Sequence, residues 1–354
     1  MKKKFTILLL TACLLTACGN KGVITTGEKP LSNAAYDTDY VSLAPYTGLK
    51  AEKQIYKVTD EAVNNAMKER LREFAEYKSV NRKSKTGDSV YADYSISIDG
   101  SEVEKESDYY FTIGEEEFGT AFDKKITGVS TGEKLDFSID YEPDDASSQW
   151  AGQTVDFHIE VTDIQEELLP DADDAFVKEN MEYDSYQAFK DATRQSVADR
   201  YEMKSTETLQ EDLLKQVIDS SHILQYTNDQ YESAKTEVEN AYRSYAELFG
   251  TDLDSIYEQL DMTDEDIESD IQATLARTLI VNTIIEKEQF SLSDADYEAG
   301  IAYYMKKNDY ESKDDFMKDY GEEEIRKQLL EDQVLNYLIA KAEITEVSAA
   351  YTED

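Results

Sequence analysis

Residues 87–100 read GDSVYADYSISIDG, and their period decides how the rest of the chain is read. Val90, Ala92, Tyr94, Ile96 and Ile98 occupy alternate positions, so an extended chain places all five on one face. Asp99-Gly100 then supplies a hairpin turn. The same period of two continues outward. It runs through Leu135, Phe137 and Ile139 in KLDFSID (134–140), and through Val155, Phe157, Ile159 and Val161 in TVDFHIEVTDI (154–164). Between these strands lies FTIGEEEFGTAFDKKITG (111–128), where Phe118 and Phe122 flank Gly119 and Ala121. This loop is predicted to hold a short helix near 122–125. The segment 83–166 is therefore expected to be a small antiparallel β domain. His158 falls on the face opposite Phe157 and is expected to be exposed.

Glycine and proline divide the chain. Seven of the 14 glycines lie between Gly87 and Gly152, whereas no proline follows Pro170, and only Gly250, Gly300 and Gly321 interrupt the rest. The first region can turn, and the second can run long helices. Leu209, Leu213, Leu214, Val217 and Ile218 mark the core stripe of a helix beginning near 185. A second helix runs near 227–249 and stops at Gly250. Thr263 with Asp266, and Ser293 with Asp296, are capping-box starts. Ile325, Leu329, Leu330, Val334, Tyr337 and Leu338 line the last helix. Ahead of the β domain, residues 41–82 read as a strand and a helix, with Thr59 as N-cap and Val63, Met67, Leu71, Phe74 and Ala75 as the apolar stripe. Residues 19–40 are polar and aperiodic and read as a tether. Residues 347–354 read as a tail.

The chain opens MKKKFTILLLTACLLTACGNKG. A basic n-region precedes an apolar run too short to span a bilayer, and Leu15-Thr16-Ala17-Cys18 resembles the lipobox of bacterial lipoproteins. On that resemblance residues 1–18 form the signal with its lipobox, Cys13 is lost with it, and Cys18 carries acyl chains. The expected location is the extracytoplasmic face of the bacterial cell membrane. The net charge is −41, from 77 acidic and 36 basic residues. Such a chain is expected neither to bind nucleic acid nor to adhere to anionic headgroups, and the lipid is the expected means of attachment.

Much chemistry can be set aside. His158 and His222 are the only histidines and stand far apart, which disfavours a His-based triad or a His-rich metal site. No P-loop, dinucleotide glycine pattern or EF-hand loop occurs, and no cofactor or metal is expected. An apolar, aromatic site remains, and rotation about an X–Pro bond needs little else. Its barrier of about 18–20 kcal/mol comes from amide resonance. A dry pocket that accepts the proline ring and desolvates the preceding carbonyl favours the twisted amide.

Several stretches carry a family resemblance. TGDSVYADYSISIDGSEV (86–103), YYFTIGEEEFGTAFDKKITGVSTGEKLDFSIDYEP (109–143) and WAGQTVDFHIEV (150–161) resemble the FKBP-type peptidyl-prolyl isomerase domain of bacterial trigger factor. ELLPDADDAFVKEN (167–180) resembles the junction that follows it there. The stretch from Ser293 to Ile344 resembles the C-terminal chaperone domain, and YTGLKAEKQIYKVTDEAVNNAMKERL (46–71) resembles the segment before the isomerase domain. The ribosome-binding domain of that family has no counterpart here, so no ribosome contact is expected. The resemblance implies an α+β multidomain fold: an FKBP-like β domain with a short helix, followed by an all-α, elongated chaperone domain at 167–346.

The resemblance also implies a pocket. Tyr94, Tyr109, Phe111 and Phe157 match aromatic wall positions, and Phe122 matches the floor. Gly119 keeps a backbone N–H where the family contacts substrate, beside Phe118. Val103 stands where the family has phenylalanine, Glu104 where it has an acid, and Ala146 where it has a tyrosine, with Trp150 nearby. The implied function is a membrane-anchored folding factor acting on unfolded secreted chains with X–Pro bonds, as isomerase and holdase. The alternative is a binding module whose worn head only docks clients.

Overall fold

The computed structural model describes residues 29–142 and 150–352. Cys18, with the whole signal, and Ala146 lie outside them. The chain forms strands β1 (Tyr36–Asp37), β2 (Val41–Leu43) and β3 (Lys50–Tyr56), then helix α1 (Asp60–Arg72) and strands β4 (Glu76–Ser79), β5 (Asp88–Ile98) and β6 (Ser101–Thr112). Helix α2 (Gly119–Ile126), strands β7 (Lys134–Asp140) and β8 (Thr154–Leu168), and helices α3 (Asp174–Asn180) and α4 (Tyr186–Ser220) follow. Then come β9 (His222–Ile223), α5 (Asn228–Leu248), α6 (Leu253–Gln259), α7 (Asp264–Glu288), α8 (Asp294–Lys307), α9 (Lys313–Tyr320), α10 (Glu322–Lys341) and β10 (Glu343–Ala349).

The fold class is α+β, and the chain separates into two compact units. One runs from Val58 to Asp199. The other joins the residues up to Lys57 with those from Arg200 onward. These limits differ from the sequence boundaries at 82/83 and 166/167. The expected connector 41–82 is split between the units, because α1 folds with the elements after it.

In the Val58–Asp199 unit, a five-stranded antiparallel sheet runs β4-β8-β5-β6, with β7 also paired to β8. Alternation works as the period implies: Val90, Ala92, Tyr94 and Ile96 of β5, and Val155, Phe157, Ile159 and Val161 of β8, are all buried. Helix α2 places Phe122 and Ile126 in the same core. Its ends are held by two buried polar groups. Asp123 accepts the Gly114 N–H at 2.6 Å and that of Glu116 at 3.3 Å. The Ser84 hydroxyl donates to the Ile126 carbonyl at 2.6 Å and accepts the Val129 N–H at 3.0 Å. A second small core gathers Val63, Met67 and Leu71 of α1 with Val177 of α3 and Phe189 of α4. Thr59 caps α1 by accepting the Ala62 N–H at 3.1 Å.

The other unit is mainly helical. Leu209, Leu213, Leu214 and Val217 of α4 pack with Val238 and Tyr242 of α5, Ile271, Leu275 and Leu279 of α7, and Val334 and Leu338 of α10. A smaller cluster joins Tyr297, Ile301 and Tyr304 of α8 to Phe316 of α9 and to Ile325 and Leu329 of α10. Both expected capping boxes form, at Thr263/Asp266 and Ser293/Asp296.

Two short sheets accompany these helices, and helical periodicity did not announce them. β1, β2 and β9 pair antiparallel, and β3 pairs parallel with β10 over seven residues, Lys50↔Glu343 to Tyr56↔Ala349. Two expectations change as a result. Residues 36–40, read as tether, lie in or beside the β1–β2 pair, because Val41 and Leu43 bury against the helical core and draw the preceding chain into register. The tail begins inside β10, and Tyr351 stacks on Tyr201 at 4.1 Å.

Candidate functional site

The candidate site is the ring cluster of the β sheet, and it is built from separate elements. Tyr94 comes from β5, Phe111 from β6, Phe122 from α2, Phe157 from β8, and Trp150 from the approach to β8. Phe118 joins them from the residue just before α2. The Phe118 ring has five aromatic neighbours: Phe122 at 5.0 Å between centroids, Trp150 at 5.2 Å, Phe111 at 5.5 Å, Phe157 at 5.7 Å and Tyr94 at 6.0 Å. Mixed edge and tilted geometries are the arrangement that ring quadrupoles favour. Phe111, Phe122 and Phe157 are at most 1% exposed, and Phe118 is 9% exposed. The rings expected to line a hollow therefore fill it, with Phe118 in their midst.

The polar groups sit at the edge of this cluster. The Tyr94 hydroxyl donates to the Glu104 carboxylate, and the Tyr109 hydroxyl to that of Glu117. Burial, then the Glu104 bond, drives the Tyr94 phenol well above its usual range. The bond to Glu117, then burial, pushes Tyr109 up to about 12. Both phenols stay protonated at neutral pH and serve as donors. The Gly119 N–H, implied as a substrate contact, donates to the Glu116 carbonyl at 2.7 Å. Gly119 has φ +81°, and a β-carbon placed on it would meet nothing closer than Tyr141 Cε1 at 4.0 Å, so conformation rather than crowding selects glycine.

Val103 does not join the cluster. It is 54% exposed, and the β5–β6 register gives the reason. Ile96 faces Glu104 while Ser97 faces Glu102, so Val103 is the extra residue of a bulge and is turned out of the core. Glu104, one step on, stays near the site through Tyr94. His158 is exposed beside Asp136 on the opposite face, as alternation requires.

Sequence reading missed Tyr141. Its ring packs against Trp150 at 5.5 Å, and its buried hydroxyl donates to the Phe118 carbonyl at 2.8 Å. The signal was present: Tyr141 continues the alternation of Leu135, Phe137 and Ile139 one step past the strand. Phe137 was read only as a strand residue. It stacks on Phe157 at 5.3 Å and meets Phe122 at 6.0 Å.

Residues 80–162 match the family described as FKBP-type peptidyl-prolyl cis-trans isomerase. Along a longer stretch the chain is similar to trigger factor of Caldicellulosiruptor saccharolyticus, 25% identical over 254 residues, 69% of this chain and 56% of that one. Trigger factor of Caldicellulosiruptor bescii is 24% identical with the same coverage. That of Desulfatibacillum aliphaticivorans is 26% identical over 324 residues, 86% of this chain and 72% of the relative. The chain thus spans little more than half the length of the two Caldicellulosiruptor proteins. A solved structure of the trigger factor chaperone aligns with 94% of this chain and 82% of its own at 15% identity, with a TM-score of 0.42. Residues 80–162 match an FKBP-type domain, and most of the chain is similar to trigger factors.

Proposed function

We propose that this protein is an extracytoplasmic folding factor, held at the membrane by lipid on Cys18. An FKBP-type peptidyl-prolyl cis–trans isomerase head would work beside a helical holdase on unfolded secreted chains. One observation carries the reading. The FKBP-type match at 80–162 coincides with the sheet whose aromatic rings converge from β5, β6, α2 and β8.

A site of this composition needs no nucleophile. It would take the proline ring, remove water from the preceding carbonyl and favour the twisted amide in which resonance is lost. Holding and isomerising complement each other. An uncatalysed X–Pro bond takes tens to hundreds of seconds to rotate, and a chain waiting that long exposes apolar surface.

A second reading, a binding module without catalysis, draws support from Phe118 filling the ring cluster and from the Gly119 N–H being engaged by Glu116. Protease-coupled turnover of a cis-prolyl tetrapeptide by the full chain separates the two. The expected result is acceleration over background, with Phe122→Leu lowering kcat/KM about tenfold, near 1.4 kcal/mol of transition-state stabilisation. Suppressed aggregation of an unfolded client with no acceleration at any protein concentration would leave the binding module.

A further inference from the structure

The ring cluster holds an occupant of its own. Phe118 touches all five of its aromatic neighbours, whereas Phe111, Phe122 and Phe157 form the enclosed floor and wall behind it. Of these four phenylalanines Phe118 keeps the most exposure, 9% against 0–1%. Removing its phenyl group would leave a ring-lined, apolar space the size of one aromatic ring, enough for the smaller pyrrolidine of a prolyl residue.

The backbone around Phe118 suits a ring that can leave. Phe118 is the residue before α2, with φ −110° and ψ 26°, and no side-chain hydrogen bond caps the helix there. Gly119 follows in a left-handed conformation, and Glu116 precedes at φ +54°. The segment is anchored on both sides: Asp123 holds the Gly114 and Glu116 amides, and the Tyr141 hydroxyl holds the Phe118 carbonyl. Rotation of the Phe118 side chain would clear the space while these anchors keep the backbone of the loop in place.

We infer that Phe118 is a self-occupying plug of the prolyl-binding hollow, and that an X–Pro segment binds by displacing its ring. This inference rests on the isomerase reading of the same cluster. Displacement lowers apparent affinity by the fraction of molecules in which the ring is out. A client would then need further contacts from its flanking residues to be held at low concentration.

Trp150, the only tryptophan in the chain and 5.2 Å from Phe118, reports on the site directly. The full chain and its Phe118→Val variant are titrated with a tetrapeptide containing a Leu–Pro bond and followed by Trp150 fluorescence. A peptide with alanine in place of proline serves as control. Phe118→Val is expected to bind the prolyl peptide about tenfold more tightly than wild type, with no gain for the control. Tyr141→Phe, which frees the Phe118 carbonyl and removes no ring, is expected to shift affinity the same way by less, and it covers the case in which Phe118→Val does not fold.

Equal or weaker prolyl binding by both variants would make Phe118 part of the wall and overturn the plug. If wild type catalyses and the variants bind no better, the plug fails and the isomerase reading stands. If Phe118→Val binds more tightly and neither protein catalyses, the plug stands and the isomerase reading fails. If nothing binds and nothing catalyses, both fall.

Discussion

Tyrosine takes over much of the role that arginine and lysine have in less acidic proteins. With 77 carboxylates and 36 basic side chains, many acids near the helical core take a phenol as partner. Tyr242 donates to Asp270 at 2.7 Å, Tyr304 to Asp332 at 2.8 Å, Tyr310 to Asp319 at 2.7 Å, and Tyr231 to Glu268 at 2.5 Å. A hydroxyl donating to an ionised carboxylate is stronger than a neutral pair, and the ring adds apolar area. Asp332 shows the limit of the arrangement. Burial raises its carboxyl above the usual range, while Gln328, Tyr304 and Lys307 pull it back only in part.

The sign of the resulting pH dependence follows from linkage. A carboxyl whose pKa is higher in the folded than in the unfolded state adds stability below its unfolded pKa, and this is lost as pH rises through the folded value. Asp332→Asn is therefore expected to gain stability relative to wild type between pH 4 and pH 7, read as the difference in urea midpoints. Tyr304→Phe should cost about 2 kcal/mol at pH 7, the scale of a hydrogen bond to a charged group. A midpoint difference for Asp332→Asn that does not change with pH would remove the assignment. Asp88 behaves in the opposite way. Burial pushes it up, but the Arg82 guanidinium and the Lys85 amide outweigh burial and hold it below the usual range, so its contribution is lost on acidification.

Among the elements, helix starts and sheet faces were legible because each is written in a few consecutive residues. Thr59, Thr263 and Ser293 are N-caps in the structure as in the sequence. The alternating residues of β5 and β8 turn inward as their period requires. Helix approach was not legible. Gly300 lies under Leu329, and a β-carbon placed on it would come within 2.3 Å of Leu329 Cδ2 and 3.0 Å of its Cγ. The glycine therefore sets how closely α8 meets α10, although by helix propensity alone alanine would be better by about 1 kcal/mol. Gly300→Ala is expected to destabilise by about 1–3 kcal/mol, the range for overpacking, read by chemical denaturation. Stabilisation would mean that Leu329 moves aside without cost. Bulges were equally hidden: the extra residue at Val103 appears only when β6 is laid against β5.

At the scale of the whole molecule, charge and attachment are one problem. No helix among the described residues is long and apolar enough to cross a membrane, and a chain of net charge −41 is repelled by anionic headgroups. If the N-terminal cysteine is acylated, membrane attachment needs no help from the surface charge, since two or more acyl chains suffice for stable binding. Cys18→Ala expressed in a bacterial host is expected to appear in the soluble extracytoplasmic fraction and to lose label from a clickable fatty acid. Wild type should stay with membranes through a high-salt wash. Retention of Cys18→Ala at the membrane would exclude the cysteine as the anchor.

What the amino-acid order determined by itself is local: the two periodicities, the caps, the glycine-rich and glycine-poor halves, and which rings belong to one sheet face. Each depends on residues a turn or a strand apart, so a short window contains the cause. Tertiary structure alone decided that β3 pairs with β10 across nearly three hundred residues, that α1 folds with α3 and the start of α4, that Tyr141 grips the Phe118 carbonyl, and that Phe118 turns into the ring cluster rather than lining it. These outcomes depend on which distant surfaces compete for the same space, and close packing settles that competition only when all the partners are present.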